Sequence, residues 1–252
     1  MEKKSIVGYF YFGTCLRYLQ DAPLNASIFE ESYILPNINS FLDSLDSLKL
    51  TTTQRAAYDL VQFRDELKGI KDKNSKLSAE QSKKLTKICT ELRRTLEAEL
   101  VAHEAYIVTP KRFDAHKLLE DIGSLMSPNT YSSLPEITQY DLMEAGKCIA
   151  FERPTAAAFH LLRGTEAVLR HFYCTLIKRK CVSPLMWGDM VQDLRTRRKT
   201  KQHTVLYNNL DNIRHSYRNP TQHPEAIYDI HEAQDLLPLC FEAIGRMIKI
   251  LP

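Results

Sequence analysis

Arg218-Asn219-Pro220-Thr221-Gln222-His223 places a guanidinium and an imidazole with four residues between them, an amide among the four. A guanidinium grips phosphate oxygens in a planar, two-pronged way. An imidazole passes protons near neutral pH. Together these groups could cut a phosphodiester without a metal ion, while an isolated pair of this kind in a turn is more often plain surface. What decides between the two is the set of elements that hold the pair.

The apolar residues Leu206, Leu210, Ile213 and Tyr217 step by four, three and four and predict a helix leading into Arg218. Asn219 precedes Pro220 and is biased away from helical angles, so the helix is expected to end at about Arg218. In an unbroken helix, positions five apart point about 140° away from each other. A break at the proline would let Arg218 and His223 turn to one site. Asp229-x-x-Glu232 reads as a capping pattern for a last helix from about Ile230 to Ile250, with Pro238 as a kink point. Upstream, Thr138-x-x-Asp141 opens a helix with Leu142, Ala145 and Ile149 inward. The next helix runs from Thr155 to about Lys178, with Pro154 near its start, a position proline tolerates. Its stripe of Phe159, Leu162, Glu166, Leu169, Tyr173 and Leu176 carries one carboxylate. An ionised carboxylate in such a stripe needs a cationic or hydrogen-bonding partner. Glu166 therefore lies at the stripe's edge and pairs with Arg163 or Arg170 on its own helix, or it faces Arg218 on another. Arg214, Tyr217 and Tyr228 are near enough in sequence to touch a substrate, though the two tyrosines serve core packing equally well.

Composition sets broader bounds. Few glycines (8) and prolines (11) among 252 residues suit a helical protein. The net charge of +3 is too small by itself to argue for nucleic acid. Its distribution is uneven: residues 140–252 hold 16 Lys and Arg against 12 Asp and Glu, and the remainder 18 against 19. Lys178-Arg179-Lys180 and the run Arg195, Arg197, Arg198, Lys199 and Lys201, opposed by Asp189 and Asp193, read as solvated ends that would also draw a polyanion. Trp187 between them is read as core or as a stacking platform. The six cysteines show no C-x-x-C spacing and no zinc set, and are read as reduced core thiols. No H-E-x-x-H or paired-carboxylate pattern supports a metal hydrolase, so no cofactor is expected. Lys3 and Lys4 precede an apolar run, Ile6 to Leu16, with no small-x-small cleavage site after it, which argues against a signal peptide. No stretch is long enough to span a bilayer. A cytoplasmic protein is expected.

The N-terminal half shows no chemistry. Gly8 to Phe12 fits a strand or a buried helix start. Phe41, Leu45 and Leu48 form one helical stripe, and Ala56, Leu60, Phe63, Leu67 and Ile70 another. Ser78-x-x-Gln81 reads as a capping box before a long helix with Leu85, Ile88, Leu92, Leu96 and Leu100 on one face. The last two helices are expected to form an antiparallel hairpin whose outer face is solvated or binds a partner. A short helix around Phe113–Ile122 follows. The loop holding Pro128, Asn129 and Pro135 marks the expected boundary between a helical region, 1–137, and a second helical domain, 138–252.

Residues 138–252 resemble the HEPN superfamily of helical domains. The resemblance rests on Arg218-Asn219 and His223, which fit an R-x4-6-H motif with a polar residue after the arginine. It rests also on Ala156-Ala157-Ala158-Phe159-His160-Leu161-Leu162-Arg163-Gly164-Thr165-Glu166, which is similar to that family's small-residue helix leading to an acidic position. The resemblance implies an all-α bundle of four to five helices that pairs across a two-fold axis, so that two motifs meet in one cleft. It implies a metal-independent endoribonuclease, in a toxin, antiphage or abortive-infection setting, with RNA as substrate and a cognate antitoxin or regulatory protein as a candidate partner. His223 would act as base or acid, Arg218 would stabilise the transition state, Asn219 would orient the phosphate or imidazole, and Glu166 would fix Arg218. The alternative is a non-catalytic module that dimerises and binds RNA, a nucleotide or a protein.

Overall fold

The computed structural model describes residues 6–22, 24–178, 186–223 and 225–252. Among them the chain is all-α: helices carry the structure, and the sole strand-like feature is an antiparallel bridge between Ser27 and Lys76. The chain divides into two compact units, 1–106 and 107–252.

In the first unit the ambiguous N-terminal run is a helix, α1 (Ile6–Gln20), and its buried Phe12, Leu16 and Leu19 follow steps of four and three. Phe12 stacks on Phe41 of α2 (Ile34–Ser47), with ring centroids 4.9 Å apart. The expected hairpin forms, but its first arm is two helices, α3 (Thr51–Ala56) and α4 (Tyr58–Lys68). At that break the apolar stripe moves by one residue: Ala57 is buried and Ala56 is exposed. The second arm, α5 (Ala79–Leu100), opens on a reciprocal capping box between Ser78 and Gln81. Its Glu99 carboxylate takes the amides of Thr52 and Thr53 and the Thr53 hydroxyl, which satisfies the start of α3. Burial alone would raise that carboxyl, but these bonds hold it below its ordinary range.

The second unit starts earlier in the chain than the loop at Pro128 to Pro135. Leu118 of α6 (Ala115–Glu120), Ile122 and Leu134 belong to its core. The strap before α6 is tied to α12 (Ile230–Ile250): the Arg112 amide donates to Gln234 Oε1 at 2.8 Å, and Arg112 pairs with Asp235. The segment 107–137 has too few apolar residues for a core of its own and borrows this one. Two further helices, α7 (Glu136–Ala150) and α8 (Pro154–Ile177), form a hairpin turned by Glu152 at φ 55°. α8 packs on α7, on α9 (Trp187–Thr196) and on α12. α12 starts at the expected capping box on Asp229 and continues through Pro238.

Three local readings change. Thr138-x-x-Asp141 is no cap, because α7 begins at Glu136 and both residues are buried within it. The inward face of α8 is broader than the seven-residue stripe and includes Ala158, Leu161, Thr165, Val168 and Phe172, so Phe159 is half-exposed at its margin. A 3.6-residue helix drifts away from a 3.5-residue stripe. Cys174 is disulfide-bonded, contrary to the reduced-thiol reading, whereas Cys15, Cys89, Cys148 and Cys240 are free. An apolar pattern reports burial and says nothing of a thiol's oxidation state. Burial pushes the thiols of Cys89 and Cys240 up to about 12, which makes them unreactive. Trp187 is core, and Cys181 and the Arg179-Lys180 pair lie outside the described residues. No described helix is long and apolar enough to cross a membrane.

Gly146 marks a close approach of α7 to the backbone of α6. A Cβ there would sit 2.3 Å from the Leu118 carbonyl oxygen and 3.0 Å from Ile122 Cδ1. Gly146→Ala is expected to cost about 1–3 kcal/mol, the usual range for overpacking. Gly245→Ala, where nothing lies within 4 Å, is expected to be neutral or stabilising by up to about 1 kcal/mol. Thermal melts of the two variants check this; equal melting points would show that α6 is not held against α7 as described.

Candidate functional site

The motif lies on one helical run. α10 (Thr204–Ile213) buries Leu206, Tyr207, Leu210 and Ile213 and passes directly into a π turn, Arg214–Arg218, and then into a short α11 (Asn219–Thr221). In the wide turn the Asn219 amide donates to the Arg214 carbonyl, five residues back. Thus the helix does not end at Arg218: Asn219 keeps helical angles, φ −66° and ψ −49°. A proline ring clashes with the carbonyl four residues before it, here Ser216, and Ser216 sits in the wide turn. The bulge accommodates the proline that was expected to break the helix. Such bulges are frequent at functional sites.

Because the run stays helical, the motif is divided. Glu166, Arg218, Thr221 and Gln222 line one hollow of about 180 Å³ together with Phe159, Leu162 and Arg163. Asn219 and His223 line another, of about 470 Å³, together with His215, Pro220, Glu225 and Ala226. Within one chain the guanidinium and the imidazole do not share a groove, contrary to the expectation from a broken helix.

The Glu166–Arg218 contact does form. Arg218 Nη2 lies 3.3 Å and Nε 3.4 Å from Glu166 Oε2, while Arg170 Nη2 donates to Oε1 at 2.9 Å. Both readings of Glu166 hold at once: it sits at the stripe's edge, pairs within its own helix, and reaches across to the motif arginine. Glu166 and Arg218 are each less than one-fifth exposed, so this pair is screened less than a surface one. Arg163 turns instead to Asp141.

Asp141 is the buried polar centre that the sequence reading placed in a cap. Its carboxylate is fully buried on α7. It accepts from Arg163 Nε at 2.8 Å and lies 2.9 Å from His160 Nδ1. The Asp141 hydrogen bond holds the Arg163 guanidinium above its ordinary value. This fork fixes Arg163, which lines the Arg218 hollow, and half-exposed Phe159 adds an aromatic face there.

Tyr217 and Tyr228 stack with ring centroids 6.0 Å apart. Tyr228 is buried, and its hydroxyl donates to the Tyr217 carbonyl at 2.9 Å and meets Thr221 Oγ1 at 2.7 Å. Its amide bonds Thr155 Oγ1 at 3.2 Å. These contacts pin the chain after the motif onto the start of α8; neither tyrosine lines either of these two hollows. Burial pushes the Tyr217 phenol above its ordinary value. Arg214, read as a substrate contact, lies against α9 so tightly that a Cβ on Gly188 would sit 2.0 Å from its Nη1. It is 3.4 Å from Asp211, and its Nη2 lies 3.1 Å from His215 Nε2.

The basic run is less free than its sequence suggests. Arg195 is taken up by Asp211 at 2.7 Å, and Arg197 by Asp193 at 2.7 Å. Among the described residues no cluster of three or more His, Cys, Asp and Glu could hold a metal. The sequence reading missed His215, although it falls four residues before Asn219 and eight before His223. No family model, no curated protein and no solved structure matches this chain.

Proposed function

We propose that this chain is a metal-independent endoribonuclease that cleaves RNA by attack of the ribose 2′-hydroxyl on the adjacent phosphorus. The observation that supports it best is the Arg218 guanidinium held by Glu166 on a π-bulged helix, whose next stripe presents Asn219 and the exposed ring of His223. Arg218 would meet charge developing on the phosphorane-like transition state, His223 would move a proton, and Asn219 would orient the phosphate. Since the two hollows are separate in one chain, the reading requires a homodimer in which one chain's Arg218 and its partner's His223 face the same phosphate. The resemblance carries the toxin or antiphage setting.

Incubation of the purified protein with total RNA and tRNA in EDTA should give fragments ending in 2′,3′-cyclic phosphate and 5′-hydroxyl. DNA should remain whole because it lacks the nucleophile. A second reading is favoured by the separation of the hollows and by the carboxylate already on Arg218: a non-catalytic dimerising module that binds RNA, a nucleotide or a regulatory protein. RNA that is retained but never cut would support that reading and end the first.

A further inference from the structure

The larger hollow holds a second imidazole. His215, Asn219 and His223 recur every four residues, and this spacing puts them along one stripe of the run that begins at the π turn. All three are exposed and line the same hollow. His215 is oriented at both ring nitrogens. Its Nδ1 lies 2.8 Å from the Asp211 carbonyl, and its Nε2 lies 3.1 Å from Arg214 Nη2. A carbonyl only accepts and a guanidinium only donates. The neutral ring satisfies both contacts in one tautomer, with the proton on Nδ1 and the lone pair on Nε2. Arg214 is in turn held in place by the bare backbone of Gly188. Across the same hollow, among the described residues, the His223 ring has no hydrogen-bond or ion-pair partner.

We propose that His215 is the second acid–base residue of the ribonuclease site, so that one chain supplies both proton carriers; this rests on the ribonuclease reading above. His215 Nε2 takes the 2′-hydroxyl proton as O2′ bonds to phosphorus. Imidazolium His223 gives a proton to O5′ as the P–O5′ bond breaks, and the products are the 2′,3′-cyclic phosphate and a 5′-hydroxyl. Water and the two rings return the protons, so nothing else is consumed. Arg214, displaced from Nε2 by the incoming hydroxyl, stays beside the phosphate as a cation. Asn219, between the rings, donates to a non-bridging oxygen.

The test is the pH–rate profile of RNA cleavage by the full chain, wild type, His215→Ala, His215→Gln and His223→Ala. The wild type should give a bell, since one imidazole must be neutral and the other protonated. Both His215 variants should lose at least about 100-fold in rate, the lower end for a positioned acid or base. They should also lose the acidic limb, which reports the base. His223→Ala should lose the alkaline limb. Since His215 is exposed, melting points of its variants should match the wild type. Wild-type cleavage with His215 variants that keep the full bell would overturn the assignment and leave the ribonuclease reading standing. A rate loss with both limbs intact would reduce His215 to a positioning role and overturn it also. A wild type that binds RNA and never cuts would remove the ribonuclease reading, and His215 with it.

Discussion

His223→Ala is expected to reduce RNA cleavage in EDTA buffer to a small residue while leaving the fold intact. The ring is exposed, and the residue's one bond within the helical run is its amide to the Pro220 carbonyl at 2.8 Å, which alanine keeps. Removal of a positioned proton carrier costs about 10²- to 10⁴-fold in rate. Arg218→Ala should cost about 10²- to 10³-fold, the scale for one group that stabilises transition-state charge. It should also leave Glu166 with Arg170 as its partner, so only a modest loss of stability is expected. Arg218→Lys keeps the charge but not the fork that reaches Glu166 through Nε and Nη2, and should recover little. The reading that two chains share the site adds a sharper expectation. Mixing Arg218→Ala with His223→Ala chains should restore a fraction of the activity, because some mixed dimers carry one complete site. Cutting at the wild-type rate in His223→Ala, or cutting that needs Mg²⁺, would refute the mechanism.

Asp141→Ala should destabilise the second unit markedly. The carboxylate is fully buried and holds two cationic or donor groups from α8. Hydrogen bonds to charged groups contribute about 1.5–3 kcal/mol each, and removing one partner of a buried pair costs about 3–5 kcal/mol. Arg163 is 57% exposed and re-solvates readily, which brings the expectation down to about 3 kcal/mol. For a chain of this size that lowers the melting temperature by roughly 6–12 °C. Arg163→Ala should be costly too, since it leaves Asp141 buried with His160 alone. The double variant should be less destabilised than the sum of the two singles, the sign of direct coupling. Melts of all three variants check this, and strict additivity would show that the pair contributes separately. The site should feel it as well, because Asp141 sets the Arg163 side chain that shares a hollow with Arg218.

Much of the architecture was readable from local pattern. The capping boxes at Ser78 and Asp229, the proline at the start of α8 and the stripes of α5 and α10 all stand as expected. Each is a short-range device whose partners lie within four residues, so a one-dimensional reading contains the whole interaction. The same was true of the link from Glu166 to its neighbours on α8. Where the reading failed, the deciding partner came from far along the chain. Thr138-x-x-Asp141 matches a cap by spacing, yet His160 and Arg163, 19 and 22 residues along the chain on α8, turn its carboxylate into a buried anchor. The domain boundary moved because Leu118 and Leu134 find their core on later helices.

The residues alone determined an all-helical chain, the presence of a guanidinium and an imidazole on one run, and a carboxylate able to meet the first. Tertiary structure decided which way they face. Local bias at Asn219 favoured a break, but Tyr217, Thr221 and Tyr228 lock that stretch against the start of α8, and a π turn accommodates the proline. A run that stays wound keeps positions five apart on different sides, so the arginine and the histidine open onto two hollows. The imidazole that shares a hollow with His223 is His215, and its four-residue spacing counts only because the run stays wound.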